Sequence, residues 1–250
     1  PMPKAPKDGR AKVEVYDAAG LLIRSFSTRI DTGMNRITWD LRADGIRFPS
    51  RQEPRGEAGQ LPPGMEVLPG QYKLVFNFGE MKDSTTVTVH GDPRREISMA
   101  DRKAKQTAYN DYKTVVEKAT KGFEQLKSAR KSIGLVNNAL TQTPDSVKNE
   151  LVQLGKSMLD SIARLEKLYM MPEDLKGIQR SSDDLSAVLS GASRYFNSFD
   201  GTPNANALNM MQQARRKTDA VLEQVNAFMN GDFAKYREKA EAVKMVFFKE

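Results

Sequence analysis

The sequence of 250 residues contains no cysteine and a single histidine, His90. Without cysteine, disulfide bonds, thiolate metal sites and cysteine nucleophiles are excluded. One histidine excludes a metal site built from a histidine cluster, and any Ser-His-Asp triad would depend on His90 alone. No apolar run approaches the roughly 18 residues that a membrane-spanning helix needs. These absences predict a chain with no catalytic, cofactor-binding or metal-binding residues and no membrane span.

The net charge of +7 does not by itself indicate a nucleic-acid partner, because basic and acidic residues are mixed along the whole chain. The longest basic cluster, Arg215-Arg216-Lys217, lies in a helical pattern. We interpret it as a solvated helix face rather than a phosphate-binding patch. A glycine-rich phosphate loop and metal-ligand spacings are also absent. We therefore expect neither a nucleic-acid partner nor a cofactor.

Apolar and polar residues alternate in the first part of the chain, which is typical of strands with one buried face. A strand at Val13 and Val15 leads through the turn Asp17–Gly20 into Leu21–Phe26, as in a β-hairpin. The alternation returns in three further segments, at Ile37–Leu41, Tyr72–Phe78 and Val87–Val89. Such a series of short strands predicts a small antiparallel, immunoglobulin-like β-sandwich over residues 1–95.

Single residues of this part have expected structural roles. Trp39, the only tryptophan, is predicted to lie at the centre of the sandwich core. Gly20 and Gly70 suit turn positions with positive φ, and Asn35 suits a turn cap. The segment Ala43–Pro69 is rich in proline, glycine and charge, so we predict a long surface loop that is either a binding site or a tolerated insertion.

Helical periodicity begins near residue 96 and predicts an elongated antiparallel bundle of three to four helices over residues 96–250. With the sandwich it gives an α+β multidomain fold. Ser98 and Asp101 resemble a capping box, and Thr143-Pro144 is typical of a second helix start. The predicted later boundaries are a stop at Pro172, a third helix over Asp183–Phe199, a fourth over Asn204–Met229, and an interruption at Gly231 before a final amphipathic segment.

Four motifs in the first part resemble one protein family; they are Val15-Tyr16-Asp17-Ala18-Ala19-Gly20, Gly33-Met34-Asn35-Arg36-Ile37-Thr38-Trp39-Asp40-Leu41-Arg42, Val67-Leu68-Pro69-Gly70-Gln71-Tyr72 and His90-Gly91-Asp92-Pro93-Arg94. They are similar to the C-terminal region of secreted bacterial sortilin-like proteins, which carry BNR-repeat β-propellers and are often labelled glycosyl-hydrolase-like. The β part resembles the immunoglobulin-like module of flagellar hook-assembly proteins. The resemblance implies a secreted, periplasmic or cell-surface protein whose propeller lies upstream. Because the chain starts at Pro1 rather than Met, we expect a piece of a longer polypeptide or a processed product.

Several residues are candidates for functional sites. The carboxylate pairs Glu173-Asp174 and Asp183-Asp184 are expected to be solvated charges, since no apolar pocket that would raise an acid's pKa is visible. His90 is expected at the surface or at a hinge. The pairs Met170-Met171 and Met210-Met211 fill a helical core or form a soft partner surface. The apolar tail Val243–Phe248 either docks on the protein or contacts a partner.

These observations predict a non-catalytic accessory region of a larger exported β-propeller protein. It would position or stabilise the propeller, its partner within the same polypeptide, or bind another protein through the helical bundle. The alternative is that the region belongs to a polysaccharide-acting enzyme whose active site lies in the upstream propeller. A third possibility is an independent protein that oligomerises through its long helices.

Overall fold

A computed structural model of the chain describes residues 9–53, 60–140, 145–172 and 183–243. Its elements, in chain order, are β1 (Arg10–Tyr16), β2 (Leu22–Arg29), β3 (Arg42–Asp44), β4 (Pro63–Glu66), β5 (Gly70–Phe78), β6 (Met81–Val89), α1 (Met99–Ala139), α2 (Asp145–Tyr169), α3 (Leu185–Phe196), α4 (Ala205–Asn230) and α5 (Asp232–Glu241). A small antiparallel β structure is thus followed by helices that pack together, and the predicted α+β class is confirmed.

The chain divides into two compact units. The first comprises Pro1–Arg47, Gln52–Tyr109 and Asp200–Thr202. The second comprises Phe48–Arg51, Asn110–Phe199 and Pro203–Glu250. The first eleven residues of α1 are therefore grouped with the β structure, and the remainder of α1 with the other helices.

The first unit contains a four-stranded antiparallel sheet in the order β2-β1-β5-β6 and a two-stranded sheet of β3 and β4. The predicted hairpin of β1 and β2 is confirmed, with Gly20 at φ 81° in its turn. One face of the larger sheet carries the core residues Val15, Tyr72 and Leu74, which are at most 9% exposed. Because side chains alternate along each strand, the odd-numbered residues of β1 and the even-numbered residues of β5 line this inner face.

The predicted strand at Ile37–Leu41 is wrong, because no strand forms between residues 31 and 41. Ile37 and Trp39 are half-buried and produce the alternation, but the segment has no partner strand to supply a hydrogen-bond ladder. Leu41 has a φ of 56°, which turns the backbone before β3 begins. Alternating burial can therefore arise without a sheet.

Trp39 packs against the core cluster from its side instead of forming its centre. Its ring meets Tyr72 edge to face at 5.5 Å, and its Nε1 donates a hydrogen bond to the carbonyl oxygen of Arg42 at 3.0 Å. The indole needs this polar partner, which explains its half-buried position. The expected cap is confirmed, since Asn35 Oδ1 accepts from the Asp31 amide at 2.9 Å. Gly70 begins β5 without a positive φ, so that expectation is wrong.

The predicted loop over Ala43–Pro69 contains the second sheet, so its description as an unstructured surface segment is wrong. Pro63 is the first residue of β4, a strand position at which a missing N–H is tolerated. A Cβ on Gly64 would lie 2.8 Å from the Cα of Gly45, so two glycines allow the segments to meet. Arg24 of β2, only 6% exposed, donates to Asp44 Oδ1 at 3.0 Å and to the Pro62 carbonyl at 3.0 Å.

The starts of α1, α3 and α4 follow the predicted signals, whereas α3 ends at Phe196, three residues before the predicted end at Phe199. Ser98 Oγ accepts from the Asp101 amide at 3.1 Å and donates to Asp101 Oδ2 at 2.7 Å, which confirms the cap of α1. Asp184 and Asn204 cap α3 and α4 through hydrogen bonds to the amides of Ala187 and Ala207. The second-helix start at Thr143-Pro144 lies outside the described residues.

The core of the second unit is apolar and aromatic. Tyr112 of α1 stacks on Phe196 of α3 at 5.6 Å and donates its hydroxyl to the Leu189 carbonyl oxygen at 2.7 Å. Phe123 of α1 and Tyr169 of α2 pack with their rings 5.0 Å apart. All these side chains are buried, as the apolar helical stripes require. None of the helices in the described part of the chain combines the length and the apolarity needed to cross a bilayer.

Candidate interaction site

The strand β6 forms an open edge of the larger sheet. It is nine residues long, pairs with β5 on one side, and no other described segment pairs with its second side. Residues Met81–Thr86 are exposed, and only Val87 and Val89 of the strand are half-buried against the core. An unpaired strand edge presents backbone donors and acceptors that can pair with another chain.

The turn between β5 and β6 determines which backbone groups lie on this edge. Gly79 and Glu80 form a two-residue turn in which Gly79 has a φ of 61°, as a type II′ hairpin requires at its first central residue. Such a turn makes Phe78 and Met81 a hydrogen-bonded pair, and the bonding alternates from there. The amide and carbonyl groups pointing away from β5 therefore belong to four residues, Lys82, Ser84, Thr86 and Thr88.

Asp83 blocks part of this edge. Its Oδ1 accepts a hydrogen bond from the Ser84 amide at 2.7 Å, which is consistent with an amide directed away from the β5 ladder. Lys82 and Asp83 place opposite charges at the start of the strand, whereas residues 84–89 carry no charge and no proline. Native edge strands commonly use charges and proline against uncontrolled pairing. The second half of β6 has neither a charged residue nor a proline to prevent such pairing.

The outer face of the sheet, opposite the core, is rich in basic side chains. Strand register places Lys12, Asn77 and Lys82 side by side across β1, β5 and β6, and Tyr16, Lys73 and Thr86 in another row. The alternation also assigns Arg10 and Arg29 to this face, where they are paired in register. Among the strand residues whose side chains alternate onto this face, the charged ones are five cations and one carboxylate, namely Arg10, Lys12, Arg29, Lys73, Lys82 and Glu14.

That single carboxylate is already occupied by its neighbours. Lys12 Nζ lies 2.7 Å from Glu14 Oε1, and Tyr16 and Asn77 donate to Oε2 at 3.1 Å and 3.3 Å. The hydrogen bond from Lys12 holds the pKa of Glu14 below its ordinary value, and the bonds from Tyr16 and Asn77 act in the same direction. Glu14 is therefore ionised at neutral pH and offsets mainly Lys12.

A groove of about 740 Å³ lies on this face beside β6. Its lining includes Tyr16, Lys73, Val75, Lys82 and Thr86. Val75 is 5% exposed although it belongs to the outer face, so the groove has an apolar floor and a polar rim in which Lys73 and Lys82 are the cations. Asp17 and Asp83 also border the groove, and both accept hydrogen bonds from backbone amides near them.

A smaller cavity of about 280 Å³ in the same unit contains His90, which is exposed as expected. Asp40, Asp92, Arg95 and Arg102 also line this cavity. The guanidinium of Arg94 binds Asp92 at 2.9 and 3.0 Å and lowers the pKa of that carboxyl. A general acid requires a raised pKa, so Asp92 is suited to binding a cation rather than to donating a proton.

The other candidate residues are not brought together. Asp184 caps α3 and exposed Asp183 lies 3.4 Å from Lys217, whereas Glu173-Asp174 lies outside the described residues. Arg215 and Arg216 are exposed on α4. Within the described ranges, no three potential metal-ligating side chains cluster around a common point.

The methionine pairs are half-buried in the second unit. The carbonyls of Met170 and Met171 accept hydrogen bonds from the guanidinium of Arg51 at 3.4 and 2.9 Å. Met210 faces Gly191 of α3, where a Cβ would lie 3.4 Å from its terminal methyl group. Of the apolar tail Val243–Phe248, residues 244–248 lie outside the described residues.

Comparison of the chain with protein-family models, with curated proteins and with solved structures gave no match. The interpretation of the site therefore depends on its own geometry. The open edge of β6 and the basic outer face did not follow from the sequence patterns. The sequence has one signal for the open edge of β6, namely the Thr-rich run Thr85–Thr88 beside Lys82-Asp83. Apolar residues are missing from the inward positions of the first half of this strand.

Proposed function

We propose that the chain is a non-catalytic interaction region of a larger exported protein. It would position or stabilise a β-propeller of the same polypeptide, or bind a protein partner. The open edge of β6 carries this proposal, because it offers a row of backbone groups to another chain. The propeller and the export are inferred from the family resemblance of the motifs in the β part.

The carboxyl groups support an interaction role over hydrolysis. Every carboxyl whose pKa is clearly displaced in the described residues is displaced downward, namely Glu14, Asp92, Asp101 and Glu150. In each case a hydrogen bond from a neighbouring side chain stabilises the ionised form. Glycoside hydrolysis needs one carboxyl that stays protonated near neutral pH as the acid catalyst. Glu14, Asp92 and Glu150 each pair with a cation, and Asp101 accepts from the hydroxyls of Ser98 and Thr202.

The native polypeptide provides the test. An antibody raised against these 250 residues should detect an exported species much larger than 28.0 kDa in the source cells. A discrete species near that mass that remains inside the cell would contradict the proposal.

An activity assay tests the enzymatic alternative. The 250-residue chain should release no reducing ends from a panel of neutral and acidic polysaccharides. The native polypeptide purified from the same cells is the matched comparison. Turnover by the 250-residue chain would mean that the catalytic residues lie within it.

A further inference from the structure

We propose that the free edge of β6 binds an extended peptide segment, which adds to the sheet as an antiparallel fifth strand. Its acidic side chains would face the basic outer face. This inference deepens the proposed interaction role and rests on it. The partner is identified by its chemistry, as a β-branched strand carrying a Lys-Glu dipeptide whose charges are opposite to those of Lys82 and Asp83.

The backbone geometry supports strand addition at a defined place. The outward groups of Lys82, Thr86 and Thr88 lie on the open side of β6, and the Ser84 amide is already bonded to Asp83. A bound strand would therefore obtain its main-chain hydrogen bonds chiefly along Thr86 and Thr88. All strand pairs of this sheet are antiparallel, and antiparallel pairing is slightly more stable per residue than parallel pairing.

Charge complementarity selects the side chains of the bound strand. Alternation directs Lys82 to the outer face, whereas the carboxylate of Asp83 lies at the open edge, where it accepts from the Ser84 amide. A residue opposite Lys82 should be acidic, and one opposite Asp83 should be basic. Lys73 of β5 is in register with Thr86, so an acidic residue opposite Thr86 would extend toward its ammonium group.

The groove beside β6 provides space for the side chains on the outer face. Lys73, Lys82 and Thr86 line it, and buried Val75 forms its floor. Recognition in this mode takes affinity from the main chain and specificity from alternate side-chain positions. An acidic polysaccharide has no strand backbone, so it would contact only the basic side chains of this face. A peptide would in addition form main-chain hydrogen bonds with β6, and this distinguishes the two ligands.

A labelled peptide with blocked ends provides the probe. Its sequence Thr-Val-Glu-Val-Thr-Lys-Glu places a glutamate opposite Thr86, the lysine opposite Asp83 and the last glutamate opposite Lys82. The matched peptide Thr-Val-Lys-Val-Thr-Glu-Lys keeps the threonines and valines and exchanges every charge, so it has two lysines and one glutamate instead of one lysine and two glutamates. Fluorescence anisotropy should show saturable binding of the first peptide and about fivefold to tenfold weaker binding of the second.

The decisive variant is Thr86→Pro. Proline removes an amide that points away from β5, so the ladder with β5 is retained, and such an edge position is where proline is tolerated in sheets. We expect unchanged emission from Trp39, which packs on the core of the β structure, and a loss of peptide affinity of about tenfold or more. Thr86→Ala keeps the amide and removes the same hydroxyl, so it should bind like the wild type.

Several outcomes would overturn the proposal. They are an absence of saturable binding to the wild type, wild-type affinity in a folded Thr86→Pro variant, and equal affinity for both peptides. Full competition by an acidic polysaccharide, with Thr86→Pro binding normally, would show a polyanion-binding surface instead. Each of these results would leave the proposed interaction role standing, whereas polysaccharide turnover by the chain would overturn that role without affecting the peptide titration.

Discussion

The hydroxyl oxygen of Tyr169 lies 2.6 Å from the point that a β-carbon on Gly122 would occupy. The same point is 2.5 Å from Cδ2 of Leu222, so side chains of α2 and α4 close over this position of α1. Burial alone raises the pKa of Tyr169, whose hydroxyl has no hydrogen-bond partner among the described residues. Gly122 thus permits a close helix contact at the cost of a weaker local helix propensity.

Gly122→Ala should destabilise the protein by roughly 1 kcal/mol, because half-buried Leu222 can move aside but the fully buried Tyr169 ring must be displaced. Gly134→Ala is the matched control in the same helix, since a Cβ there meets nothing within 4 Å. That control should stabilise by about 0.5–1 kcal/mol. Urea unfolding followed by circular dichroism measures both. Equal effects of the two substitutions would refute the close contact.

Arg24→Met should reduce the free energy of unfolding by about 3 kcal/mol. The substitution leaves Asp44 and the carbonyls of Leu61 and Pro62 without the guanidinium that binds them. Arg29→Met is the control, because its ion pair with Asp31 spans 3.7 Å with both side chains at least 80% exposed. It should change the stability by less than about 0.5 kcal/mol. Chemical denaturation of the two variants compares them directly.

Gly64→Ala should separate the two strands of the smaller sheet and cost roughly 1–3 kcal/mol. The new methyl group would lie 2.8 Å from the Gly45 Cα and 2.9 Å from the Asp44 carbonyl oxygen, both of which are backbone atoms. Gly70→Ala introduces a methyl group with nothing within 4 Å and serves as the control. Thermal unfolding should show a lowered midpoint for Gly64→Ala alone, and an unchanged midpoint would contradict the contact.

The Lys12–Glu14 pair predicts a loss of stability in acid. The pKa of Glu14 lies below its ordinary value of 4.5 in the folded protein, so the unfolded chain takes up its proton first as the pH falls. The stabilising contribution is present above about pH 4.5 and is lost progressively as the pH falls toward the folded-state pKa. Glu14→Gln should therefore flatten the fall in melting temperature below that pH.

Lys12→Gln provides the cross-check, since it removes the largest cause of the displaced pKa while leaving the carboxyl in place. It should flatten the same part of the melting-temperature profile, and the double variant should add little to either single change. Additive effects of the two substitutions would mean that the carboxyl and the ammonium act independently.

The helices were accessible from the sequence because their signals are local. Ser98 and Asn204 identify helix starts through side chains that bond amides three residues later, and the structure has both bonds. The Ile37–Leu41 alternation was misleading because a strand also needs a partner, which no local pattern supplies. The pairing of β3 with β4 depends on Gly45 and Gly64 meeting across a long segment, so composition alone indicated a loop.

The candidate interaction site could not be predicted for a related reason. Lys12, Lys73 and Lys82 are far apart in the sequence, and only the register of β1, β5 and β6 brings them onto one face. Which amides of β6 are directed outward depends on the two-residue turn at Gly79-Glu80. A shift of one residue in that register would move the side chains of the shifted strand to the opposite face of the sheet, and the basic residues would no longer lie together.

The fluorescence of Trp39 reports on the first unit alone. The chain has one tryptophan, and it packs on Tyr72 and bonds the Arg42 carbonyl within that unit. Indole emission therefore reports the loosening of the β structure, whereas far-UV ellipticity is dominated by the helices. A single denaturant titration read at both signals yields two transition curves from one sample. Their coincidence or separation tells whether the two parts melt as one cooperative body or in sequence.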